Sequence, residues 1–197
     1  MPSYKQFLQE LDVKWKGSPE DKLLLRFLGS AALMLQTKYE RGTNDGDVIE
    51  TGQFTKDISD RLVNLAGRGS ALYKKHRIHI HIVRAGIPFL PHTPLWHPMP
   101  QLSAMLRRFK IEVLDVVDVV VSKLKRLSSN DISDIEAMVN LGLIPLDLLI
   151  KRFKDAVDVF SMNARMDDLP QYVRNLHRVE RDILATEETP IELPNWI

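Results

Sequence analysis

Before about residue 115 the apolar positions switch between strand-like and helical spacing, and beyond it they keep almost entirely to helical spacing. Residues 3–12 bring Tyr4, Phe7, Leu8 and Leu11 near helical spacing and predict a short amphipathic helix. A polar break from Lys14 to Asp21, with Gly17, Ser18 and Pro19, follows it. Leu23 to Leu28 is an apolar run with the length of a buried strand. Ser30 is then a predicted N-cap. The good helix formers Ala31 to Leu35 continue from it, and the helix should fail near Gly42. Val48 and Ile49 extend a second strand. Thr55 to Ala66 fits a helix capped by Thr55, with Ile58, Leu62 and Leu65 on one side, stopped by Gly67-Arg68-Gly69. Arg77 to Val83 alternates strictly and predicts a third strand. Five prolines between Gly86 and Pro100 predict an ordered or semi-ordered loop without regular elements.

Ile111 to Leu114 reads as a short strand, after which Asp115 caps a helix to about Leu127 with Val117, Val120, Val121, Leu124 and Leu127 on its buried side. Ser128-Ser129-Asn130 breaks that helix, and another runs from Asp131 to Leu141. Pro145 opens a third, from Leu146 to Phe160. Asp168 to about Ala185 is a fourth, and the tail TPIELPNWI is irregular. The fold class expected is α/β (α+β): a small mixed sheet of about three to five strands flanked by helices in residues 1–115, then a helical lobe in 116–197.

Composition narrows the class only modestly. The 197 residues are 44% hydrophobic and 27% charged, enough for a real core in an ordinary folded protein. A net charge of +1 confines any basic surface to a local patch. With no cysteine, disulfides and thiolate metal sites are excluded. No run approaches the roughly 18 apolar residues that span a bilayer, and the first residues lack a signal-peptide core, so a cytoplasmic protein is expected.

The candidate chemistry lies in residues 25–50. Asp45 and Asp47, spaced i, i+2 at the start of a strand, point to one face and can share divalent cations. Gly29 permits close backbone approach, and a helix starting at Ser30 offers N–H groups to a phosphate. Taken alone, Asn44-Asp45-Gly46-Asp47 is equally a good turn. The order strand, Gly-Ser, helix, Thr-x-Asp-x-Asp, strand is what distinguishes it.

That order resembles the polymerase-β-like nucleotidyltransferase superfamily. Arg41-Gly42-Thr43-Asn44-Asp45-Gly46-Asp47 resembles in particular its AbiEii-like branch, toxins of bacterial toxin–antitoxin and phage-defence systems. The branch's downstream Lys-Leu helix and acidic element have counterparts in Val120 to Arg126 and Asn130 to Ile135, so the resemblance covers residues 23–141. It implies a nucleotidyltransferase that moves a nucleoside monophosphate from a nucleoside triphosphate to an acceptor, an RNA end such as tRNA or, less often, a protein hydroxyl. It also implies Mg2+ or Mn2+ at Asp45 and Asp47, with Gly29, Ser30 and Thr43 around the nucleotide. Lys123 would reach the phosphates, Asp134 would orient that lysine, and a cognate antitoxin would be a partner. Read without the family, Lys123 is a solvated helix residue and Asp131 and Asp134 are first-turn acids.

The pattern is also departed from. Phe27-Leu28 precede Gly29 where a glycine is common, and Gly46 replaces a large aliphatic residue between the acids, which leaves that strand less packed. His79 and His81 stand on the strand where a third carboxylate is often found. The alternative reading is therefore a catalytically degenerate protein of the same fold, acting as a nucleotide- or partner-binding module. His79, His81, His92 and His97 make a zinc site conceivable, though alternating histidines on a strand need no ligand. Trp96 and Phe89 either stack on a base or pack their loop. Lys74, Lys75, His76 and Arg77, with Arg107, Arg108 and Lys110, are candidates for a basic surface.

Overall fold

Helix α1 (Tyr4–Lys14) buries Tyr4, Phe7, Leu8 and Leu11 on one side, as their spacing predicts. The computed structural model describes residues 4–16, 22–162 and 166–193, so most of the predicted break between Lys14 and Asp21 lies outside the described residues, as does the end of the tail. The chain forms two compact units, one of Met1–Ile87 with Trp96–Leu114 and the other of Pro88–Leu95 with Asp115–Ile197.

In the first unit, β1 (Leu23–Phe27) leads into α2 (Gly29–Gln36), then β2 (Asp45–Ile49) and α3 (Lys56–Ala66). Ser30 is not the N-cap of α2; Leu28 holds that position and supplies no side-chain cap. The helix also ends well before Gly42. The Gln36 amide donates to the Ala32 carbonyl at 3.0 Å and the Leu114 carbonyl at 2.7 Å, and the Thr37 hydroxyl donates to the Leu33 carbonyl at 2.8 Å. Thr37 then takes an extended backbone, which ends the helix. Thr55 caps α3 as expected, accepting from the Ile58 N–H.

A helix hidden from the sequence pattern follows, α4 (Ala71–His76), capped by Ser70 and closed by Arg77 at φ 57°. Arg77 therefore belongs to a helix end, and β3 is His79–Val83. The proline-rich stretch is also more regular than its composition suggests: it contains β4 (Trp96–Pro98) and the start of α5 (Pro100–Ala104), before β5 (Phe109–Leu114). Pro98 is tolerated because β4 is an edge strand, and Pro100 because it opens a helix.

The strands form one mixed sheet in the order β3-β2-β1-β5-β4. β2 pairs antiparallel with β1 and parallel with β3, β1 and β5 are parallel, and β4 is antiparallel to β5. Leu23, Leu25, Phe27, Val48, Ile80, Phe109, Ile111 and Val113 are buried. Opposite them, Arg26 pairs with Glu112 at 2.8 Å on the face that also carries Asp45 and Asp47. Gly46 is buried rather than loosely packed. A Cβ there would lie 3.2 Å from the Phe27 ring, 3.3 Å from the His79 carbonyl oxygen and 3.4 Å from the Tyr4 ring. Two aromatic side chains fill the space a large aliphatic residue would need.

The second unit is helical, with α6 (Val116–Leu124), α7 (Ser129–Asn140), α8 (Leu146–Ser161) and α9 (Leu169–Asp182). Asp115 caps α6, which stops at Leu124, and Leu127 takes φ 47°. Ser128 and Asp131 form a capping box, so α7 starts at Ser129 and the predicted break is its cap and first turn. Residues 88–95 join this unit through Phe89, whose ring meets Phe153 at 5.4 Å, Phe160 at 5.1 Å and Tyr172 at 5.0 Å. They are also tied by a buried fork. Arg152 gives Asp118 two hydrogen bonds of 2.7 and 2.6 Å and the Thr93 carbonyl another of 3.0 Å, while the Leu95 N–H donates to Asp118 at 2.8 Å. The bond to Asp118 raises the Arg152 pKa against the pull of burial. No helix among the described residues is long and apolar enough to cross a membrane.

Candidate functional site

The pleat of β2 sends Gly46 and Val48 into the core and so turns Asp45 and Asp47 together to the other face. The Asp45 side chain is 63% exposed and that of Asp47 34%. At the end of β1 the Leu28 N–H donates to the Asp47 carbonyl at 3.0 Å, which brings the strand-to-helix turn against β2. Gly29 in that turn has φ 61°, and a Cβ on it would stand 3.2 Å from Asp47 Oδ2. Its conformation favours glycine, and a side chain there would crowd the carboxylate.

Parallel pairing with β3 sets Asp45 beside His79 and Asp47 beside His81. His81 Nδ1 lies 2.9 Å from Asp47 Oδ1, and His79 Nε2 lies 3.5 Å from Asp45 Oδ1. The other ring nitrogen of His79, Nδ1, is buried with no hydrogen-bond partner. Tyr4, reaching over from α1, donates its hydroxyl to the Asp45 carbonyl at 2.9 Å. Burial and the charges of Asp47 and Asp45 push that hydroxyl's pKa up, opposed by Arg41, so Tyr4 remains a neutral donor. Arg41 also donates to Ser30 Oγ at 3.3 Å, and Thr43 Oγ1 accepts from the Asp45 N–H at 3.4 Å.

Gly29, Ser30, Thr43, Asp45 and Asp47 are thus all in the first unit, linked through these contacts. Tyr4 and Arg41 are additions. The sequence offered Tyr4 only as an apolar helix position, while Arg41 stood in the same run as the two acids and its charge was the available signal.

Lys123 and Asp134 meet in the second unit. Lys123 is buried rather than solvated, with Nζ 2.6 Å from Asp134 Oδ2 and 3.0 Å from Asp131 Oδ1. Asp131 further accepts from Arg126 and from Ser128. Burial works against its ionisation, but the hydrogen bonds from Arg126 and Ser128 and the Lys123 charge hold its carboxyl below the ordinary range.

The four histidines weighed for a zinc site are not gathered on one strand. His97 is on β4 and His79 and His81 are on β3, at opposite edges of the sheet, while His92 belongs to the other unit. Among the described residues no three histidine, aspartate or glutamate side chains are set to hold a metal ion. Lys75 and His76 are engaged by Glu10 at 2.6 and 2.8 Å, which lowers the Glu10 pKa to about 2. The donor set of Asp45 and Asp47 nonetheless suits a divalent cation whose remaining positions are filled by water and phosphate oxygens, as Mg2+ is commonly held.

No curated protein and no solved structure matches the chain. A family match does run across both units, over residues 7–182. The chain belongs to the family described as a nucleotidyltransferase of unknown function, DUF6036.

Proposed function

We propose that the protein moves a nucleoside monophosphate from a nucleoside triphosphate to an acceptor hydroxyl, using a divalent cation held by Asp45 and Asp47. The observation that carries this reading is the pair of carboxylates on one face of β2 with Gly29 pressed against Asp47. Mg2+ or Mn2+ there supplies charge neutralisation for the phosphate oxygens while a phosphoryl bond is exchanged. The turn at Gly29 and Ser30, with no side-chain cap from Leu28, suits the triphosphate, and Thr43 braces the start of β2. The acceptor oxygen forms its bond to the α-phosphorus, the bond from that phosphorus to the bridging oxygen breaks, and pyrophosphate leaves. An aspartate carboxylate takes the acceptor proton.

The AbiEii-like run Arg41 to Asp47 supports the finer part of the reading: an RNA end such as tRNA as acceptor, and a toxin role with a cognate antitoxin. The same resemblance assigns Lys123 to the phosphates and Asp134 to its orientation, and their 2.6 Å contact suits the orienting half of that assignment. One observation favours a second reading, a binding module without turnover: the strand beside β2 offers imidazoles where a further carboxylate would help.

Labelled nucleoside triphosphates incubated with an RNA panel test the proposal. Transfer by the native chain that disappears in Asp45→Asn/Asp47→Asn, with the melting temperature unchanged or raised, is the expected result. Transfer retained by the double variant would refute it. Cation-dependent nucleotide binding without transfer to any acceptor would move the assignment to the second reading.

A further inference from the structure

We infer that Arg41 holds the β- and γ-phosphates of the nucleoside triphosphate and steadies the charge that the departing pyrophosphate takes with it. The inference rests on the reading of Asp45 and Asp47 as the cation site and adds the group that receives the far end of the phosphate chain. Chain path is its origin. The eight residues of α2 climb about 12 Å from the Gly29 turn, and residues 37–44 return from its far end to β2. On the way Arg41 Nη1 donates to Ser30 Oγ at 3.3 Å. The Thr43 N–H donates to the Arg41 carbonyl at 2.8 Å, and Thr43 Oγ1 accepts from the Asp45 N–H at 3.4 Å. The backbone that carries Arg41 is thereby braced against the first residue of β2.

Asp47 Oδ2 lies 3.2 Å from where a Gly29 Cβ would stand, and Ser30 is the next residue. Carboxylate, glycine, serine hydroxyl and guanidinium therefore follow one another along a single turn. Arg41 is half-buried, and its charge is felt at the Tyr4 hydroxyl, where it opposes the upward push of burial, Asp47 and Asp45. A guanidinium stays charged at any working pH, and its planar N–H donors match phosphate oxygens in pairs. Asp45 and Asp47 serve the phosphate that reacts. When the bond from its phosphorus to the bridging oxygen breaks, the electron pair remains on that oxygen, and the two phosphates that leave need a cation of their own. Lys123 has its ammonium balanced by Asp131 and Asp134 in the second unit, whereas Arg41 belongs to the unit of Asp45 and Asp47.

The test is calorimetric titration of the full chain in Mg2+ with three probes: a nucleoside triphosphate whose α,β-link cannot be cleaved, the matching monophosphate, and inorganic pyrophosphate. The native chain is expected to bind the triphosphate and pyrophosphate. Arg41→Ala should weaken both by about 10- to 100-fold, the worth of hydrogen bonds between charged groups, and the monophosphate by less than about threefold. Arg41→Gln keeps a donor for Ser30 without the charge and should weaken them as much, while Arg41→Lys, a point charge without the fork, should recover part of the loss. Product inhibition of transfer by pyrophosphate should relax in the same order. Triphosphate binding unchanged in Arg41→Ala would overturn the inference. Mono- and triphosphate weakened alike, or Arg41→Gln binding as the native chain does, would reduce Arg41 to a brace for Ser30 and overturn it too. In each of these cases, loss of triphosphate binding in Asp45→Asn/Asp47→Asn would leave the carboxylate site standing. A native chain that binds no triphosphate, or a double variant that binds it undiminished, would overturn the reading of the two aspartates as well.

Discussion

The aspartates of the two units live in opposite environments. Asp45 and Asp47 rise from the polar face of a strand, largely or partly open to water, with the imidazoles of His79 and His81 beside them. Asp118, Asp131 and Asp134 are buried, and each is matched to a fixed cation: Arg152 for the first, Lys123 and Arg126 for the second, and Lys123 for the third. A buried carboxylate is held by its partner because separation would strand a charge in a poor solvent. An exposed one can be handed to a ligand at little cost to the fold. The first pair is therefore available for chemistry, and the second group secures the helical unit and positions Lys123.

The largest effect expected from this contrast is on activity. Asp45→Asn/Asp47→Asn should reduce nucleotidyl transfer about a thousandfold or more, since a bound cation supplies several kcal/mol of transition-state stabilisation. Its melting temperature should not fall, because two carboxylates on one strand face repel one another. Loss of stability in this variant would erase the contrast. Next comes the converse, Asp118→Ala, which leaves the buried Arg152 guanidinium without its partner and frees the bond from Leu95. It should cost about 3–5 kcal/mol in urea unfolding. Gly46→Val follows, since its side chain would collide with Phe27 and Tyr4 beneath β2; overpacking of about 1–3 kcal/mol is expected from denaturation midpoints.

The smallest effect concerns acid. Glu10 has its pKa lowered to about 2 by Lys75 and His76. A carboxyl whose folded pKa lies below its unfolded value contributes stability above the unfolded pKa, and that contribution fades as the pH falls towards 2. The Glu10 link between α1 and α4 should therefore weaken below about pH 4.5, and Glu10→Gln should flatten this part of the stability profile.

Which parts could be read from the chain beforehand follows from where the determining contacts lie. Local patterns were enough for α1, with its apolar spacing, for α3, with its Thr55 cap, and for the alternation of β3. Nonlocal contacts decided the rest. α2 ends at Gln36, whose side chain reaches the Leu114 carbonyl, far along the chain. The six residues of α4 are too few to show a period, and Arg77 alternates with β3 although its backbone closes a helix. Trp96–Pro98 becomes a strand because β5 is there to pair with, in spite of its proline. At the candidate site, the Asp-x-Asp spacing placed both acids on one face, but nothing local told that Gly46 is filled from behind by Phe27 and Tyr4. Without the family resemblance Lys123 reads as a solvated residue, because its acidic partners sit on a different helix, α7.

The central claim is tested most directly by calorimetric binding of each nucleoside triphosphate, with and without Mg2+ or Mn2+, to the native chain and to Asp45→Asn/Asp47→Asn. The account predicts cation-dependent binding by the native chain that the double variant loses while staying folded. Nucleotide binding that needs neither the cation nor the two aspartates would contradict it, as would no binding of any triphosphate by the native chain.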